Sequence, residues 1–399
     1  MKVLYLFLDG TRSPGVIRKV KSKIRFLNGL GLDVTGIVMN KNVEEYRYDN
    51  EEKIVYLPLK ITPLPFFYNR RFIRNYRSYF ATQSYLRQFY ENLEREVAKH
   101  TFDSIVFRYP LSNKFLLRFC RKYPGKILFE HNSKELVEME MDKAANPAMQ
   151  YYINAEKKYA SRVLSSARGL MGVGNEVTAY QVGRSGKSDM PHRVIANGID
   201  VASLPLRTPP AGIAGELKLL FVTGSPSPWV GLDILLQGLA DYSGEMKIKV
   251  YVVGPLNAEV VKRAEELRVT HLVEFTGEKK DKELDRYFDE CHVALGTLAM
   301  QRVGLQEHSS LKVLEYAARG IPFVISYCDT NFEGLSDFQP FYDVQEYNGK
   351  TIDLGRVVQF ANKVLTDRDH PKKMRDIAAV HFDFSAKMKQ LKEFLETKT

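Results

Sequence analysis

Short apolar runs alternate with longer amphipathic stretches along the first 200 residues of this chain. Runs of four to seven residues bounded by turn-forming residues are typical of buried strands, and the amphipathic stretch at residues 16–30 is typical of a helix. The predicted strands cover residues 3–8, 33–39, 104–107, 126–130, 169–173 and 193–196. Since strands that alternate with helices form parallel sheets with right-handed crossovers, this half of the chain predicts one doubly wound α/β unit.

The same alternation starts again after a segment rich in proline and glycine at residues 204–212. Predicted strands follow at residues 218–222, 247–253, 272–275 and 293–295, and predicted helices at 231–242, 257–267 and 281–290. A chain of 399 residues is too long for one ordinary core, so we expect two Rossmann-like domains, residues 1–205 and 206–381. Two such domains leave a cleft between them, and domain interfaces are preferred ligand sites.

The last apolar pattern lies near the C-terminus. One face of a predicted helix at about residues 384–397 carries Phe384, Met388, Leu391, Phe394 and Leu395. Periodicity of this kind indicates that the helix packs against a core, but it does not say against which one.

The charge is divided unevenly between the two halves. Residues 1–200 hold 33 Lys and Arg against 20 Asp and Glu, whereas residues 201–399 hold 25 against 28. The first half therefore carries +13 and the second −3. A basic half beside a near-neutral one favours an acidic partner for the first, such as a phospholipid surface, a phosphate-bearing acceptor or nucleic acid.

Arginines and aromatic residues interleave in the region 63–100, where a long helix is predicted. Guanidinium groups and rings suit an anionic bilayer interface, although a core-packed helix with solvated arginines would show the same pattern. Single-stranded nucleic acid would use this chemistry too, but we do not expect it as a partner. The residues are Arg70, Arg71, Arg74, Arg77 and Arg87 among Phe72, Tyr76, Tyr79, Phe80 and Tyr85.

Cysteine usage and hydropathy bear on the compartment. Cys120, Cys291 and Cys328 are few, widely spaced and odd in number, without the spacing of a metal site. A reducing cytoplasm fits, and we expect no structural metal. The apolar run at residues 3–8 is too short for a signal peptide, and no run approaches the ~20 residues that a membrane span needs.

The most informative spacing is that of Glu307 and Glu315, which stand eight residues apart. On a helix this is slightly more than two turns, so the two carboxylates are predicted to project from nearly one face. Gly320 then reads as the helix stop and residues 323–325 as the next buried strand. The pair would lie at the open end of an α/β layer, where ligands bind; the alternative is a solvated helix face that carries two acids.

Residues 307–322 resemble the Glu-x7-Glu signature of retaining, nucleotide-sugar-dependent glycosyltransferases of the family-4 type. The resemblance implies a GT-B fold, with two Rossmann-like domains that face across a cleft and a C-terminal helix, residues 382–399, that completes the first domain. It also implies a UDP- or GDP-sugar donor, no metal or other cofactor, and retention at the transferred sugar. The expected acceptor is a saccharide or a lipid-linked saccharide, and the expected location is cytoplasmic, peripheral at the inner face of the membrane.

Site residues follow from the same resemblance. Glu315 takes the position that binds the ribose, where a carboxylate can accept two hydrogen bonds. Glu307 takes that of the acid near the transferred sugar and the departing phosphate. Helix amides and charge at the start of the Glu315 helix would meet the phosphate oxygens. The residues expected there are Ser309, Ser310, Leu311 and Lys312, with Arg302 as a further candidate in the preceding loop.

Shorter segments match less specifically. His131 ends a predicted strand and resembles the family histidine that contacts the donor sugar or its phosphate, while Asn197 belongs to an Asn-Gly-Ile-Asp element that we interpret as a family marker in a turn. Three glycines complete the set of candidates. Gly15 lies in a loose match to the first glycine-rich loop, Gly224 follows the first strand of the second domain, and Gly277 takes the position near the nucleotide base.

One departure from the family pattern weakens the expected site. Ser225 and Val230 stand where an Arg and a Lys usually neutralise the diphosphate. Charge stabilisation is usually the largest catalytic term, so either Lys312 and the helix amides replace these cations or the site is impaired. The rival hypothesis is therefore a catalytically inactive, glycosyltransferase-like protein that binds a sugar or a partner. A nucleotide-sugar epimerase on the same frame is a third option, which the Glu spacing followed by Gly-Ile-Pro disfavours.

Overall fold

The computed structural model describes residues 1–9, 14–40, 45–58, 74–142, 149–224, 227–256 and 258–397. The chain divides into two units, one of Met1–Ile195 with Met388–Thr399 and one of Ala196–Lys387. Residues 196–205, which the sequence assigned to the first domain, group with the second. They do so because the amide of Ile199 donates to Phe382 O at 2.9 Å and Arg375 Nη2 donates to Val201 O at 2.9 Å.

The first unit is built on an eight-stranded sheet, counted over the described residues. Neighbouring strands of this sheet run parallel, except for the antiparallel edge pair β3 and β4. The strand order is β3-β4-β2-β1-β5-β6-β7-β8. The sequence predicted every strand but these two, of which β3 is short and mostly exposed. The strands are β1 (Lys2–Asp9), β2 (Asp33–Asn40), β3 (Arg47–Asp49), β4 (Ile54–Pro58), β5 (Ser104–Arg108), β6 (Ile127–His131), β7 (Gly169–Gly172) and β8 (His192–Val194).

Helices connect these strands and bury apolar faces against them. They are α1 (Pro14–Gly29), α2 (Arg74–Val97), α3 (Lys114–Lys122), α4 (Glu135–Asp142), α5 (Met149–Leu164) and α6 (Asn175–Ser185). The second part of α2 packs into the core through Leu86, Phe89, Tyr90, Leu93 and Val97. Of the arginine and aromatic cluster, Arg70, Arg71 and Phe72 lie outside the described residues, and for 74–82 only the helical backbone is described.

The second unit carries a six-stranded parallel sheet of order β11-β10-β9-β12-β14-β16 and a separate pair of β13 and β15, within its described residues. Leu217, Leu219 and Leu220 of β9 are fully buried, as expected for a parallel sheet covered on both faces. The strands are β9 (Glu216–Val222), β10 (Lys247–Val253), β11 (Val273–Gly277), β12 (Val293–Leu295), β13 (Glu307–His308), β14 (Phe323–Ile325), β15 (Cys328–Asp329) and β16 (Tyr342–Val344).

Its helices include the three predicted in its first half, with ends within one residue of the prediction. They are α7 (Leu232–Asp241), α8 (Ala258–Glu266), α9 (Asp281–Glu290), α10 (Leu311–Arg319), α11 (Leu354–Val364), α12 (His370–His381) and α13 (Phe384–Glu396). From Met388 onward, α13 groups with the first unit. There Arg168 Nη2 donates to Leu395 O at 2.8 Å, and Lys392 Nζ donates to Leu30 O at 2.9 Å.

All five apolar residues of the predicted last helix are buried, which confirms that this face packs against a core. None of the helices in the described segments combines the length and the apolar character that crossing a bilayer would require.

Candidate functional site

The two acids that the sequence singled out do not share a helix, so the prediction of one common helix face is wrong. Glu307 belongs to β13, which pairs in parallel with β15, whereas Glu315 lies in α10. Strand pairing prevails because Cys328 N donates to Gln306 O at 2.9 Å and Thr330 N to His308 O at 3.1 Å. The Glu307 carboxylate accepts a hydrogen bond from Thr330 Oγ1 at 2.9 Å.

A buried polar network fixes the turn between β13 and α10. Ser309 Oγ accepts hydrogen bonds from the Asn197 amide and from Asn331 Nδ2, each at 2.8 Å, and Asn197 Nδ2 donates to Ser309 O. The amide of Ser310 donates to Asp329 Oδ2 at 3.1 Å, and burial raises the pKa of Asp329 to about 6. Asn197 and Ser309, both predicted to bind substrate, are thus joined to each other and hold the start of α10.

The first turn of α10 presents a cation and uncapped amides. Ser310 is the N-cap residue, and its side chain makes no capping hydrogen bond. Lys312 Nζ lies 5.4 Å from the centre of the Phe221 ring, at the carboxyl end of β9. Burial lowers the pKa of Lys312 to about 8, and no carboxylate in the described part of the second unit lies within ion-pair distance of it. Leu311 and Lys312 are therefore placed where an anion would gain both amides and charge.

Glu315 lies one turn after Lys312 in α10, and an ion pair with Arg319 fixes the orientation of its carboxylate. Its Oε1 lies 2.9 Å from Arg319 Nε, and Arg319 also holds Asp285 at 2.6 Å and lies over the Phe288 ring at 4.4 Å. No other hydrogen bond to the Glu315 carboxylate occurs in the part of the chain that the structure describes. One carboxylate oxygen thus remains able to accept hydrogen bonds from a ligand.

A buried phenol attaches α10 to the sheet. Tyr316 OH accepts from the Val222 amide at 3.4 Å and donates to Leu295 O at 3.2 Å. These contacts join the helix to β9 and β12, so that Lys312 and Glu315 stand at a defined place relative to the sheet edge.

The turns after β9, β10 and β11 meet at that same edge. Gly254 has φ +135° and lies so close to Thr223 that a Cβ atom would fall 1.9 Å from Thr223 O. Its amide donates to Gly277 O at 2.9 Å. Gly277 itself has φ +72°, a conformation that favours glycine, and Gly224 is exposed. Gly224 therefore lies just after β9 and Gly277 ends β11, and Gly254, which the sequence reasoning did not include among the candidates, contacts both Thr223 and Gly277.

Arg302 is committed to protein partners. It forms a bidentate pair with Asp233 at 2.7 and 2.9 Å, and it donates to Tyr347 OH at 3.0 Å and to Pro228 O at 2.7 Å. Hydrogen bonding to Asp233 raises the pKa of Arg302 despite its partial burial. The residue lines a cavity of about 260 Å³ between the turn after β9, α7 and α8. That cavity does not include Lys312 or Glu315, so the structure does not bring Arg302 together with them.

Of the two positions that depart from the family pattern, Val230 lies among the described residues. Val230 lies in a single turn of 3₁₀ helix, Pro228–Val230, before α7. Ser225 lies outside the described residues.

In the first unit, His131 is the last residue of β6, at the strand end where the sequence predicted it. Its side chain is fully buried, and its Nδ1 lies 3.1 Å from Glu135 Oε1. The Tyr109 ring lies against the imidazole, with 4.3 Å between ring centres. Gly15 lies in the first turn of α1, while residues 10–13 of its predicted loop are outside the described residues.

Beside His131 is a buried charge cluster that sequence reasoning missed. Glu130 is 2% exposed and lies 2.6 Å from Lys23 Nζ and 3.6 Å from Lys19 Nζ. Burial alone would raise the pKa of Glu130, but these lysines and Arg108 hold it well below its usual range. Two lysines spaced four apart on the apolar face of α1 were the available signal. The ion pairs of Glu130 with these lysines fix α1 against β6, next to His131 at the end of that strand.

Groups of three or more His, Cys, Asp or Glu side chains arranged to hold a metal ion do not occur among the described residues.

The second unit resembles a known protein family. Residues 208–379 match the family model of the glycosyl transferases group 1. The matched segment spans nearly all of the second unit and contains every candidate of that unit except Asn197. A search of curated proteins by sequence finds no match.

Solved structures resemble the chain over its whole length. Sucrose-phosphate synthase from Thermosynechococcus elongatus superposes with a TM-score of 0.68 at 15% identity, covering 98% of each chain. HepE from Anabaena, solved with UDP-glucose, gives 0.64 at 14% identity over 99% of each chain. WaaG, a glycosyltransferase involved in lipopolysaccharide biosynthesis, gives 0.63 at 15% identity over 99% of this chain and all of WaaG. The likeness confirms the predicted fold class, two Rossmann-like α/β domains of the GT-B type.

Proposed function

We propose that the chain is a nucleotide-sugar-dependent glycosyltransferase that moves a sugar from a UDP- or GDP-sugar to a saccharide or lipid-linked acceptor, with retention. The match of residues 208–379 to group 1 glycosyl transferases supports the reaction class. HepE, which shares the fold, is described in complex with UDP-glucose. The resemblance of residues 307–322 to the signature of retaining transferases remains the reason for proposing retention.

The observation that carries the proposal is the state of Lys312. A half-buried ammonium without a carboxylate partner is unfavourable, and its lowered pKa expresses that cost. The uncapped amides of the α10 N-terminus lie beside it. A diphosphate placed there would accept hydrogen bonds from the amides and supply the missing counter-charge.

Glu315 fits the ribose of the same ligand. It lies one helical turn after Lys312, so the two side chains share a face of α10. Arg319 occupies one carboxylate oxygen and fixes the orientation, and the other oxygen can accept hydrogen bonds from vicinal hydroxyls. A nucleoside diphosphate would thus be held by its phosphates at Lys312 and by its ribose at Glu315.

In the transfer step, the bond between the anomeric carbon and the phosphate oxygen breaks and a bond to the acceptor oxygen forms on the same face. The acceptor hydroxyl loses its proton to the departing phosphate oxygen. Negative charge on the diphosphate grows as the bond breaks, and Lys312 with the α10 amides would stabilise it. We assign Glu307 to the transferred sugar and the departing phosphate, and His131 to the donor sugar. The proposed step uses charges of this chain and includes no metal or other cofactor.

The acceptor and the location are proposed from charge. The first half of the chain carries +13, which favours an acidic acceptor or an anionic membrane surface over a neutral one. We therefore propose polysaccharide or lipid-linked saccharide synthesis at the inner face of the membrane, with the protein peripheral and no nucleic acid partner. Replacing Arg70, Arg71, Arg74 and Arg77 with Ser should abolish sedimentation with anionic vesicles, and unchanged pelleting would reject the membrane part.

Turnover tests the proposal as a whole. The chain is incubated with UDP- and GDP-sugars, and the release of free nucleoside diphosphate is measured for wild type, Lys312→Ala, Glu315→Ala and the control Lys262→Ala. Lys262 is a suitable control because its side chain is 76% exposed on α8 and pairs with Glu266 on the same helix. We expect turnover by wild type and by the control, and at least a tenfold loss for the other two variants.

The rival, an inactive binding protein, is favoured by the loss of a cation at Val230. It predicts that a nucleotide sugar stabilises the fold against heat while no nucleoside diphosphate is released. Release that depends on Lys312 would exclude it.

A further inference from the structure

The imidazole of His131 is the end of a chain of side-chain hydrogen bonds in the first unit. His131 Nδ1 lies 3.1 Å from Glu135 Oε1. The other oxygen, Glu135 Oε2, accepts from Gln181 Nε2 at 2.6 Å. His131 and Gln181 are both fully buried, so the Glu135 carboxylate is held from two sides.

The chain continues and returns to the imidazole. Gln181 Oε1 accepts from Arg184 Nη1 at 3.0 Å, which fixes the orientation of the amide. Arg184 pairs with the buried Glu156, and Glu156 accepts from Tyr109 OH at 2.7 Å. The Tyr109 ring lies against His131. The same network therefore positions both the hydrogen-bond partner of Nδ1 and the aromatic ring that packs on the imidazole.

This arrangement selects one tautomer. An ionised carboxylate only accepts hydrogen bonds, so His131 Nδ1 must carry the proton and the neutral ring must have its lone pair on Nε2. Nε2 is buried and makes no hydrogen bond to the described residues. A protonated ring would instead leave a buried N–H without an acceptor, which is costly. His131 Nε2 therefore offers a fixed acceptor to a group that donates.

We propose that Glu135 is a positioning residue that holds His131 in the Nδ1–H tautomer, so that Nε2 accepts a hydrogen bond from a hydroxyl of the bound sugar. The assignment deepens the proposed function and depends on it for the identity of the ligand. A phosphate oxygen as the partner would instead require a proton on Nε2, and so a ring protonated on both nitrogens; a response of His131 to the diphosphate alone is the result that would show it. Within this proposal, Glu135 acts through His131 and contacts no substrate.

The test separates the tautomer from activity. ¹⁵N-histidine-labelled protein is studied by NMR, and the His131 signal is assigned by its loss in His131→Asn. Wild type should show a protonated Nδ1 and an unprotonated Nε2. Glu135→Gln should shift this balance, because an amide can either donate to or accept from Nδ1. Glu135→Asp, which retains the carboxylate, should keep the wild-type tautomer, and so should the control Glu140→Gln, whose carboxylate is exposed and pairs with Lys157.

Ligand and turnover arms complete the experiment. Adding UDP-glucose or GDP-mannose, whichever is turned over, should shift the Nε2 signal, while the nucleoside diphosphate alone should not. We expect Glu135→Gln to lower kcat/KM about tenfold to a hundredfold, by analogy with the loss of a carboxylate that orients a metal-bound histidine, and Glu135→Asp to recover part of the loss.

Three results would overturn the inference: a wild-type His131 protonated at Nε2, full turnover by a folded Glu135→Gln variant with an altered tautomer, or a response to the diphosphate alone. If the tautomer is as expected but wild type turns over no donor, the proposed function fails and the hydroxyl assignment with it, while the NMR result still establishes what Glu135 does to His131.

Discussion

Replacing Lys312 with Met should stabilise the free protein and weaken donor binding, two effects of opposite sign. Met has a similar length and apolar volume but carries no charge. The pKa of Lys312 falls from 10.5 to about 8 on folding. A shift of this size corresponds to roughly 3 kcal/mol at ~1.4 kcal/mol per pH unit, and partial exposure of the side chain reduces the expected gain to about 1–2 kcal/mol at pH 7.

The sign of the pH dependence follows from the lowered pKa. Between about pH 8 and 10.5 the unfolded chain binds the Lys312 proton more tightly than the folded chain does. The destabilisation by Lys312 is therefore complete below pH 8 and disappears as the pH rises towards 10.5. The stability difference between Lys312→Met and wild type should decline over the same window.

Donor affinity should follow the protonated form of Lys312. With a pKa of about 8 in the free protein, roughly nine tenths of the side chains are charged at pH 7 and roughly one tenth at pH 9. A bound diphosphate favours the charged form, so wild-type affinity should fall about tenfold between pH 7 and 9. The Met variant should bind more weakly and show no such dependence.

Urea unfolding and calorimetric titration with the selected nucleotide sugar, at pH 7, 8 and 9, measure both effects. Lys262→Met serves as the control, since Lys262 is exposed and ion-paired, and should change neither quantity appreciably. A Lys312→Met protein that is less stable than wild type, and that binds the donor equally well, would refute the assignment and make Lys312 a structural residue.

Three further predictions concern other parts of the two units. Glu315→Gln should weaken donor binding about tenfold, measured by titration, because a charged acceptor of the ribose hydroxyls is lost. Glu130→Gln should cost about 3–5 kcal/mol in urea unfolding, because Lys19 and Lys23 would remain buried without their counter-ion; a cost below 1 kcal/mol would contradict the charge reasoning. Gly254→Ala should lower the free energy of unfolding by about 1–3 kcal/mol, because its Cβ would meet Thr223 O, and a neutral effect in the same assay would show that the turn adapts.

The sheets were predictable because a buried parallel strand has a local sequence signal. Buried runs such as residues 218–222 and 247–253 are apolar throughout, and the turns between them are marked by glycine and proline. The two-residue strand that contains Glu307 was not predictable in this way. Its pairing partner is Cys328, 21 residues away, and a helical spacing of two acids gave no information on that contact.

In the candidate site, too, residues related by spacing within one helix were predictable, whereas contacts between separate elements were not. Lys312 and Glu315 were found because their spacing matches a motif, and Arg319 could have been found as the residue four positions after Glu315 on one helix. The Lys312 contact with Phe221 and the network from His131 to Tyr109 join separate elements. Such contacts depend on packing, for which one sequence without relatives offers no local signal.

The cation missing at Val230 raises the question of which group neutralises the diphosphate. Arg302 is one of two cations among the candidates of the second unit, but Asp233 neutralises its guanidinium in a bidentate pair. No carboxylate in the described part of the second unit neutralises Lys312, and keeping its charge in a half-buried position costs stability. A protein without an anion to bind would gain from a Met or Leu at this position, so the ammonium favours a protein that binds an anionic ligand. The active transferase and the inactive binding rival share that expectation, and release of nucleoside diphosphate distinguishes them.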